Sequence, residues 1–185
     1  MSTKINTTYY KTKIGELIIG SYENKLCLLD FRYRKMRPTV DKRIKNYLKC
    51  DFLEREDEII AEAKKQVDEY LQGCRKKFKI PVLLLGSDFQ KQVWNELLKI
   101  NYGETATYLD IAKRINNPKA TRAVASANGA NALALIVPCH RIIASSGELG
   151  GYGGGLPVKK RLLNLEIKNT PLPDKGNNDF KACKI

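Results

Sequence analysis

The spacing of apolar residues changes near Gly86, and this change constrains the fold more than any other feature of the chain. Before this point, two runs rich in β-branched and aromatic residues, YYKTKIGELIIGS and KLCLLDFRY, flank the turn-like YENK. Such a pattern predicts an antiparallel hairpin. After this point the apolar residues recur at helical spacing, at Phe89, Val93, Leu97 and Ile100. The order of strands followed by helices predicts an α+β protein.

Three regions follow from this pattern. We predict a small N-terminal α/β domain with an antiparallel sheet over residues 1–85, a mostly helical domain over 86–170 and a polar tail over 171–185. In the first domain a helix is expected from Glu56 to Leu71, and FKIPVLLL suggests a further edge strand.

The second domain contains a candidate helix-turn-helix. Ser87 and Gln90 have the spacing of a capping box, which starts the first helix of the domain. TYLDIAKRI and the Ala-rich NNPKATRAVASAN then predict two short helices joined at Asn-Asn-Pro, and PVKKRLLNLE predicts a last helix. Any helical domain contains short helix pairs, so this pattern alone does not assign DNA binding.

Charge favours a polyanionic partner. The chain has 33 Lys and Arg against 20 Asp and Glu, a formal net charge of +13, which makes nucleic acid the leading candidate. Surface lysines that aid solubility, or a source organism that grows at high temperature, are alternative explanations. The sequence lacks the ~18 consecutive apolar residues of a membrane helix. MSTKINTTYYKTK lacks a secretory signal, so we expect a cytoplasmic protein without membrane contact.

The cysteines form no recognisable cluster. They occur at positions 27, 50, 74, 139 and 183 without a C-x-x-C pair, which favours separate reduced thiols over a disulfide framework or a zinc site. His140 is the only histidine, so we expect no bound metal and no cofactor.

IVPCHRII places Cys139 directly before His140. A cysteine reacts as the thiolate, and a histidine can act as its base. Neighbouring side chains in an extended segment point to opposite faces, so a water would have to connect sulfur and imidazole. The imidazole then needs an acid or a carbonyl to fix its tautomer, and spacing alone leaves several acids open. Pro138 stiffens the approach, and GELGGYGGGLP offers an adaptable pocket wall. The alternative is an inert, buried cysteine.

IVPCHRII, SSGELGGYGGGLPVKKRLLNLE and GETATYLDIAKRINNPKATRAVASANGAN together resemble the O6-alkylguanine-DNA alkyltransferases, also called methylated-DNA-protein-cysteine methyltransferases. The resemblance extends from Phe89 to Glu166 and implies an RNase H-like N-terminal domain. The implied activity is direct repair of double-stranded DNA carrying O6-alkylguanine, with O4-alkylthymine as a second candidate substrate. The target nucleotide leaves the duplex, and the alkyl group moves irreversibly to the protein. Each protein molecule would act once, as a monomer.

The resemblance also implies catalytic roles. Cys139 is the nucleophile, His140 is the base acting through a water, and Glu166 orients the imidazole. Tyr108 is expected to donate its phenol proton to the departing guanine.

Other residues are expected to hold DNA and the base. Arg122 is expected to fill the space that the extruded nucleotide leaves, because its planar guanidinium can stack. The remaining expected DNA contacts are Lys119, Thr121, Ala123, Ala125 and Arg141, with Thr121 bulkier than the alanine expected there. The expected substrate-binding residues are Asn131, which braces the turn before the active site, together with Pro138, Ile142, Tyr152, Gly153 and Gly154.

Two other functions use the same thiol. A DNA-bound sensor would report alkylation at Cys139 without repair, although no segment of the chain has the length of the extra module that such proteins carry. A cysteine hydrolase would need turnover and an oxyanion hole, and would leave Arg122 without a purpose.

Overall fold

The computed structural model describes residues 4–170, and the predicted tail over 171–185 lies outside this range. The N-terminal part is a four-stranded sheet in the order β3-β2-β1-β4. Strands β1, β2 and β3 pair antiparallel, whereas β4 runs parallel to β1. The strands are β1 Ile5–Thr12, β2 Gly15–Tyr22, β3 Lys25–Phe31 and β4 Phe52–Glu54.

The predicted hairpin is present, with one more strand than expected. YENK forms its turn, where Glu23 and Asn24 both adopt positive φ, as a two-residue hairpin loop requires. The first predicted run is itself two strands, β1 and β2, which turn at Lys13 and Ile14. The predicted strand in FKIPVLLL is reduced to a bridge from Val82 to β3.

Helices cover both faces of the sheet. Helix α1 (Arg37–Leu48) packs on one face, where Val40 and Ile44 join the cluster containing Ile18. Helix α2 (Glu58–Leu71) packs on the other face together with the C-terminal helices. The sequence analysis missed α1 and β4, because α1 buries few apolar residues and is rich in Lys and Arg.

The C-terminal part is helical, as predicted. Ser87 and Gln90 form the expected capping box of α3. Helices α4 and α5 pack against each other at the positions predicted for the helix-turn-helix. The helices are α3 Asp88–Leu97, α4 Tyr108–Arg114, α5 Thr121–Gly129 and α6 Leu156–Lys168, with 3-10 turns at Pro118–Ala120 and Cys139–Arg141 and a short parallel pair, β5 Ala106–Thr107 and β6 Ile142–Ile143. The structure confirms the predicted α+β class.

The two parts share one core and a strand edge. Leu29 of β3 donates to the carbonyl of Ala132 at 2.8 Å and accepts from the amide of Ala134 at 2.7 Å. The segment that follows α5 therefore lies along the free edge of the sheet. This contact fixes the position of α5 and of the chain leading to Cys139 relative to β3.

Three cysteines of the described residues are free thiols, as predicted: Cys27, Cys50 and Cys139. Within residues 4–170, no helix combines the length and the apolar character required to cross a membrane.

We predict that Ser87→Ala lowers the free energy of unfolding by about 1 kcal/mol, because the Ser87 hydroxyl accepts the Gln90 amide at the start of α3. Urea denaturation measures this change. Ser145→Ala, at an exposed turn position, is the control and should leave the unfolding midpoint unchanged. Equal midpoints for both variants would contradict a stabilising role for the capping box.

Candidate active site

Cys139 and His140 lie in a buried 3-10 turn. The turn covers Cys139–Arg141 and follows Pro138, whose φ of −80° leads into it. Cys139 is 7% exposed and His140 is fully buried. The segment is thus tightly turned, not extended as the sequence argument assumed, yet sulfur and imidazole make no direct hydrogen bond in the described structure.

The thiol is held by an amide. Asn131 Nδ2 donates to Cys139 Sγ at 3.2 Å and to the carbonyl of Val137 at 2.9 Å. Its Oδ1 accepts the amide of Leu133 at 2.9 Å. Asn131 therefore spans the turn between α5 and the cysteine, where the sequence analysis expected it.

The imidazole has one bonded and one free nitrogen. His140 Nε2 lies 2.8 Å from Glu166 Oε1. A carboxylate can only accept, so Nε2 carries the proton of this hydrogen bond. Nδ1 is buried and has no hydrogen-bond partner among the described residues. The free lone pair of Nδ1 makes His140 a base, and burial lowers the pKa of this group although Glu166 opposes that effect.

Glu166 is the most heavily bonded side chain of the site. Arg141 donates to both of its oxygens at 2.9 Å, and the amide of Gly103 donates to Oε2 at 3.0 Å. Burial by itself raises the pKa of Glu166, but the hydrogen bonds from His140 and Arg141 outweigh it and hold the pKa well below its usual range. Glu166 is therefore ionised at neutral pH. Of the acids that spacing left open, it is the one in contact with His140.

Tyr70 completes this network from the N-terminal part. Its hydroxyl donates to Glu166 Oε1 at 2.5 Å and lies 3.2 Å from His140 Nε2. Burial raises the pKa of Tyr70, so the phenol stays protonated. The sequence analysis predicted the helix that carries Tyr70 but gave this residue no role. No local signal could have found this role, since Tyr70 and Glu166 are 96 positions apart in sequence.

Arg141 takes a different position from the predicted one. It is 6% exposed, and besides Glu166 it bonds the carbonyl of Ile100 at 2.7 Å. A buried guanidinium committed to these partners does not face DNA. The structure thus corrects the prediction that Arg141 contacts DNA, because the charge is needed inside to hold Glu166.

The thiol opens onto a cavity of about 500 Å³. Asn131 and Cys139 form part of its lining, opposite the glycine loop, residues 147–155. Four of the six expected substrate-binding residues line it: Asn131, Tyr152, Gly153 and Gly154. Pro138 and Ile142 are outside the described lining.

Tyr108 and Lys159 hold the glycine loop from outside the cavity. Tyr108 is half-buried at the start of α4, and its hydroxyl contacts Gly150 so closely that a Cβ there would overlap it. Lys159 is fully buried and donates to the carbonyls of Ile142 at 2.5 Å and Gly150 at 3.0 Å. Sequence reasoning assigned no role to Lys159, although a lysine on an otherwise apolar helix face is a visible signal. The carbonyl of Ile142, one of the residues expected to bind substrate, therefore already accepts a hydrogen bond from Lys159.

The Cys139 thiol must lose its proton before it can react as a nucleophile. Burial raises the pKa of Cys139, and the hydrogen bond from Asn131 opposes this rise. A neutral thiol next to a neutral imidazole needs a proton path to become nucleophilic. Nδ1 of His140 is the free acceptor on that path.

The remaining predicted DNA-binding residues lie in the 3-10 turn before α5 and in the first turns of α5. Arg122 and Ala123 are exposed at the start of α5, Lys119 is exposed in the turn before it, and Thr121 and Ala125 are partly exposed. Arg122 makes no hydrogen bond or ion pair within the described part of the chain, so its guanidinium is free. Residues 4–170 contain no cluster of three or more side chains suited to a metal ion.

We predict that lowering the pH from 7 to 5 lowers the free energy of unfolding. Unfolded histidine binds a proton near pH 6.5, whereas burial lowers the pKa of folded His140. The contribution of neutral His140 is therefore full above about pH 6.5 and is lost below it, at up to ~1.4 kcal/mol per pH unit. Urea denaturation between pH 5 and 8 measures this slope.

His140→Gln is the control for this slope, since His140 is the only histidine. The variant should lose the decline between pH 6.5 and 5 that the histidine causes. Parallel profiles for the two proteins would show that the folded and unfolded states bind the same number of protons at this position.

Comparison with known proteins identifies relatives over nearly the whole described chain. The 6-O-methylguanine DNA methyltransferase ribonuclease-like domain matches residues 5–84, and the DNA binding domain of the same description matches residues 88–168. The methylated-DNA--protein-cysteine methyltransferase of Methanosarcina acetivorans is 41% identical over 158 residues, which cover 85% of this chain and 95% of the relative.

Solved structures of methyltransferases also resemble this chain in fold and sequence. Mycobacterium tuberculosis OGT in complex with DNA superposes with a TM-score of 0.76 at 36% identity, covering 90% of this chain and 95% of that one. The M. tuberculosis O6-methylguanine methyltransferase gives a TM-score of 0.75 at 36% identity, covering 92% and 96%. The predicted family is confirmed: this chain belongs to the O6-methylguanine DNA methyltransferase family.

Proposed function

We propose that the protein repairs duplex DNA by moving the alkyl group from O6 of an alkylated guanine to Cys139 Sγ. One observation carries this proposal: a buried thiol faces a cavity of about 500 Å³ beside a histidine whose Nε2 is bonded to Glu166 and whose Nδ1 is free. The relatives carry the name of this activity, and one is solved with DNA. The protein acts as a cytoplasmic monomer, with residues 86–170 binding DNA.

The chemistry is a displacement at the alkyl carbon. The Cys139 thiol passes its proton through a water to His140 Nδ1, and Glu166 stabilises the resulting imidazolium. Sγ attacks the alkyl carbon, the bond from that carbon to O6 breaks, and its electron pair remains with guanine. Tyr108 supplies the proton that neutralises the leaving base. The product is a thioether.

Because the thioether is stable, each protein molecule reacts only once. No group in the described site is placed to remove an alkyl group from Sγ, and a thioether does not hydrolyse at neutral pH. One protein molecule therefore repairs one base. O4-alkylthymine presents the same alkyl–oxygen bond and is a second substrate under this proposal.

The base must leave the helix to reach the thiol. Cys139 lies inside the protein at 7% exposure, and a guanine that is paired and stacked in a duplex cannot enter such a site. Arg122, free and exposed on α5, fills the gap in the stack. The exposed Lys119 before α5 and the small side chains of Ala123 and Ala125 suit sequence-independent contacts with phosphates and the minor groove.

We predict that duplex DNA labelled in one O6-methyl group transfers one methyl per protein molecule, to the tryptic peptide Ala123–Arg141 that contains Cys139. Mass spectrometry of the peptide and recovery of guanine measure the result. Cys139→Ala should bind the same DNA and transfer nothing. Several turnovers, or label that remains on DNA, would contradict the proposal and favour a hydrolase or a sensor.

We predict that Arg122→Ala reacts about five- to 150-fold slower with labelled duplex DNA but retains most activity toward free O6-substituted guanine. Losing a side chain that stacks on a base costs on the order of 1–3 kcal/mol. Rates of methyl transfer to the two substrates measure the difference. Arg122→Lys separates stacking from charge. This variant should bind undamaged DNA like the parent protein but transfer the methyl group from labelled duplex DNA slowly. Equal losses on both substrates would rule out a role in base extrusion.

A further inference from the structure

Asp30 anchors an arginine next to the cavity. It lies at the end of β3, and its side chain is 1% exposed. It accepts from Arg34 Nη1 at 2.7 Å, from Arg37 Nη1 at 2.9 Å and from the amide of Phe31 at 2.9 Å. Burial raises the pKa of Asp30, and the two arginine charges oppose that rise. Arg34 is therefore held in one orientation by the N-terminal sheet.

The same guanidinium binds the C-terminal end of α5. Arg34 Nη1 donates to the carbonyl of Asn131 at 2.8 Å, and Nη2 donates to the carbonyl of Gly129. Gly129 is the last residue of α5 and Asn131 lies beyond it, so neither carbonyl accepts a hydrogen bond within the helix. A cation at this helix end is also favoured by the helix dipole. Arg34 thus fixes the backbone of Asn131.

Arg34 also touches the opposite wall of the cavity. A Cβ added to Gly153 would lie 3.1 Å from Arg34 Cδ and 3.4 Å from Asp30 Oδ1. Arg34, Asn131, Cys139 and Gly153 all line the same cavity. One side chain of the N-terminal part therefore contacts both the asparagine side and the glycine-loop side of the site.

We propose that Arg34, anchored by Asp30, is a positioning residue that holds Asn131 where its carboxamide donates to Cys139 Sγ. This inference rests on the proposed alkyl transfer, because it assigns Arg34 to the same thiol. It gives the N-terminal domain a direct part in preparing the nucleophile. The path runs from the Asp30 carboxylate through the guanidinium to the backbone of Asn131, and then through the Asn131 side chain to sulfur at 3.2 Å.

The charge of Arg34 also favours the thiolate form of Cys139. Burial raises the pKa of Cys139, the Asn131 hydrogen bond lowers it, and the positive charge of Arg34 also lowers it, whereas Asp30 raises it. Loss of Arg34 removes a charge that favours the thiolate and releases the asparagine that bonds it. The other titratable groups around the thiol, which stay unchanged in the variants below, are Tyr108, His140, Tyr152 and Lys159.

The test measures the pH dependence of Cys139 alkylation by iodoacetamide in the full chain, read as the mass of peptide Ala123–Arg141. Arg34→Gln should move the midpoint upward by roughly half to one pH unit, which slows labelling at pH 7 about three- to tenfold. Arg34→Lys keeps the charge but cannot span both carbonyls, so its midpoint should fall between those of Arg34→Gln and the parent protein.

Arg43→Gln is the matched control. Arg43 donates to the neighbouring carbonyl of Ala130 at 2.7 Å and lies 5.5 Å from the Trp94 ring, but it does not line the described cavity. This variant loosens the same helix end without touching the thiol, so its labelling midpoint should match that of the parent protein. Thermal unfolding of each variant separates lost stability from a shifted profile.

Two results would overturn the inference. Unshifted midpoints in both Arg34 variants would remove Arg34 from the thiol environment. An equal shift in Arg43→Gln would assign the effect to general docking of the two domains. Iodoacetamide requires no DNA, so a failure of the proposed methyl transfer leaves this readout intact and is recognised separately.

Discussion

The buried carboxylate of Glu166 is the interaction on which the rest of the site depends. A charge taken out of water is costly unless every lone pair finds a donor. Here the donors come from Tyr70, Gly103, His140 and Arg141, which belong to separate parts of the chain. Satisfying this one group brings α2, α6, the loop after α3 and the 3-10 turn together. The same contacts fix the tautomer of His140, so stability and reactivity share a cause.

The N-terminal sheet supplies more than a scaffold. Tyr70 reaches the carboxylate from α2, while Arg34 reaches the chain between α5 and the thiol from the end of β3. A helical domain that detached from the sheet would expose Glu166 to water and free Asn131. The packing of the two parts therefore belongs to the chemistry of the site as well as to the fold.

Much of the fold follows from local pattern. The Ser87 capping box, the helical spacing of apolar residues after it and the turn at YENK are each local, and each was visible in the sequence. Helix α1 was not visible, because tertiary contacts of Val40 and Ile44 stabilise an otherwise polar segment. FKIPVLLL did not become a regular strand, because its backbone pairs with β3 only at Leu26, through the carbonyl of Pro81 and the amide of Leu83.

The sequence by itself determined that Cys139 and His140 are neighbours after a proline, that a glycine loop follows them, and that Arg122 starts a helix of small residues. These are properties of spacing and composition, which the chain carries before it folds. Only the tertiary structure decided which nitrogen of His140 is free, and that Arg141 turns inward to Glu166 instead of outward to DNA. The reason is that burial and the pairing of charges depend on distant segments, which local pattern does not encode.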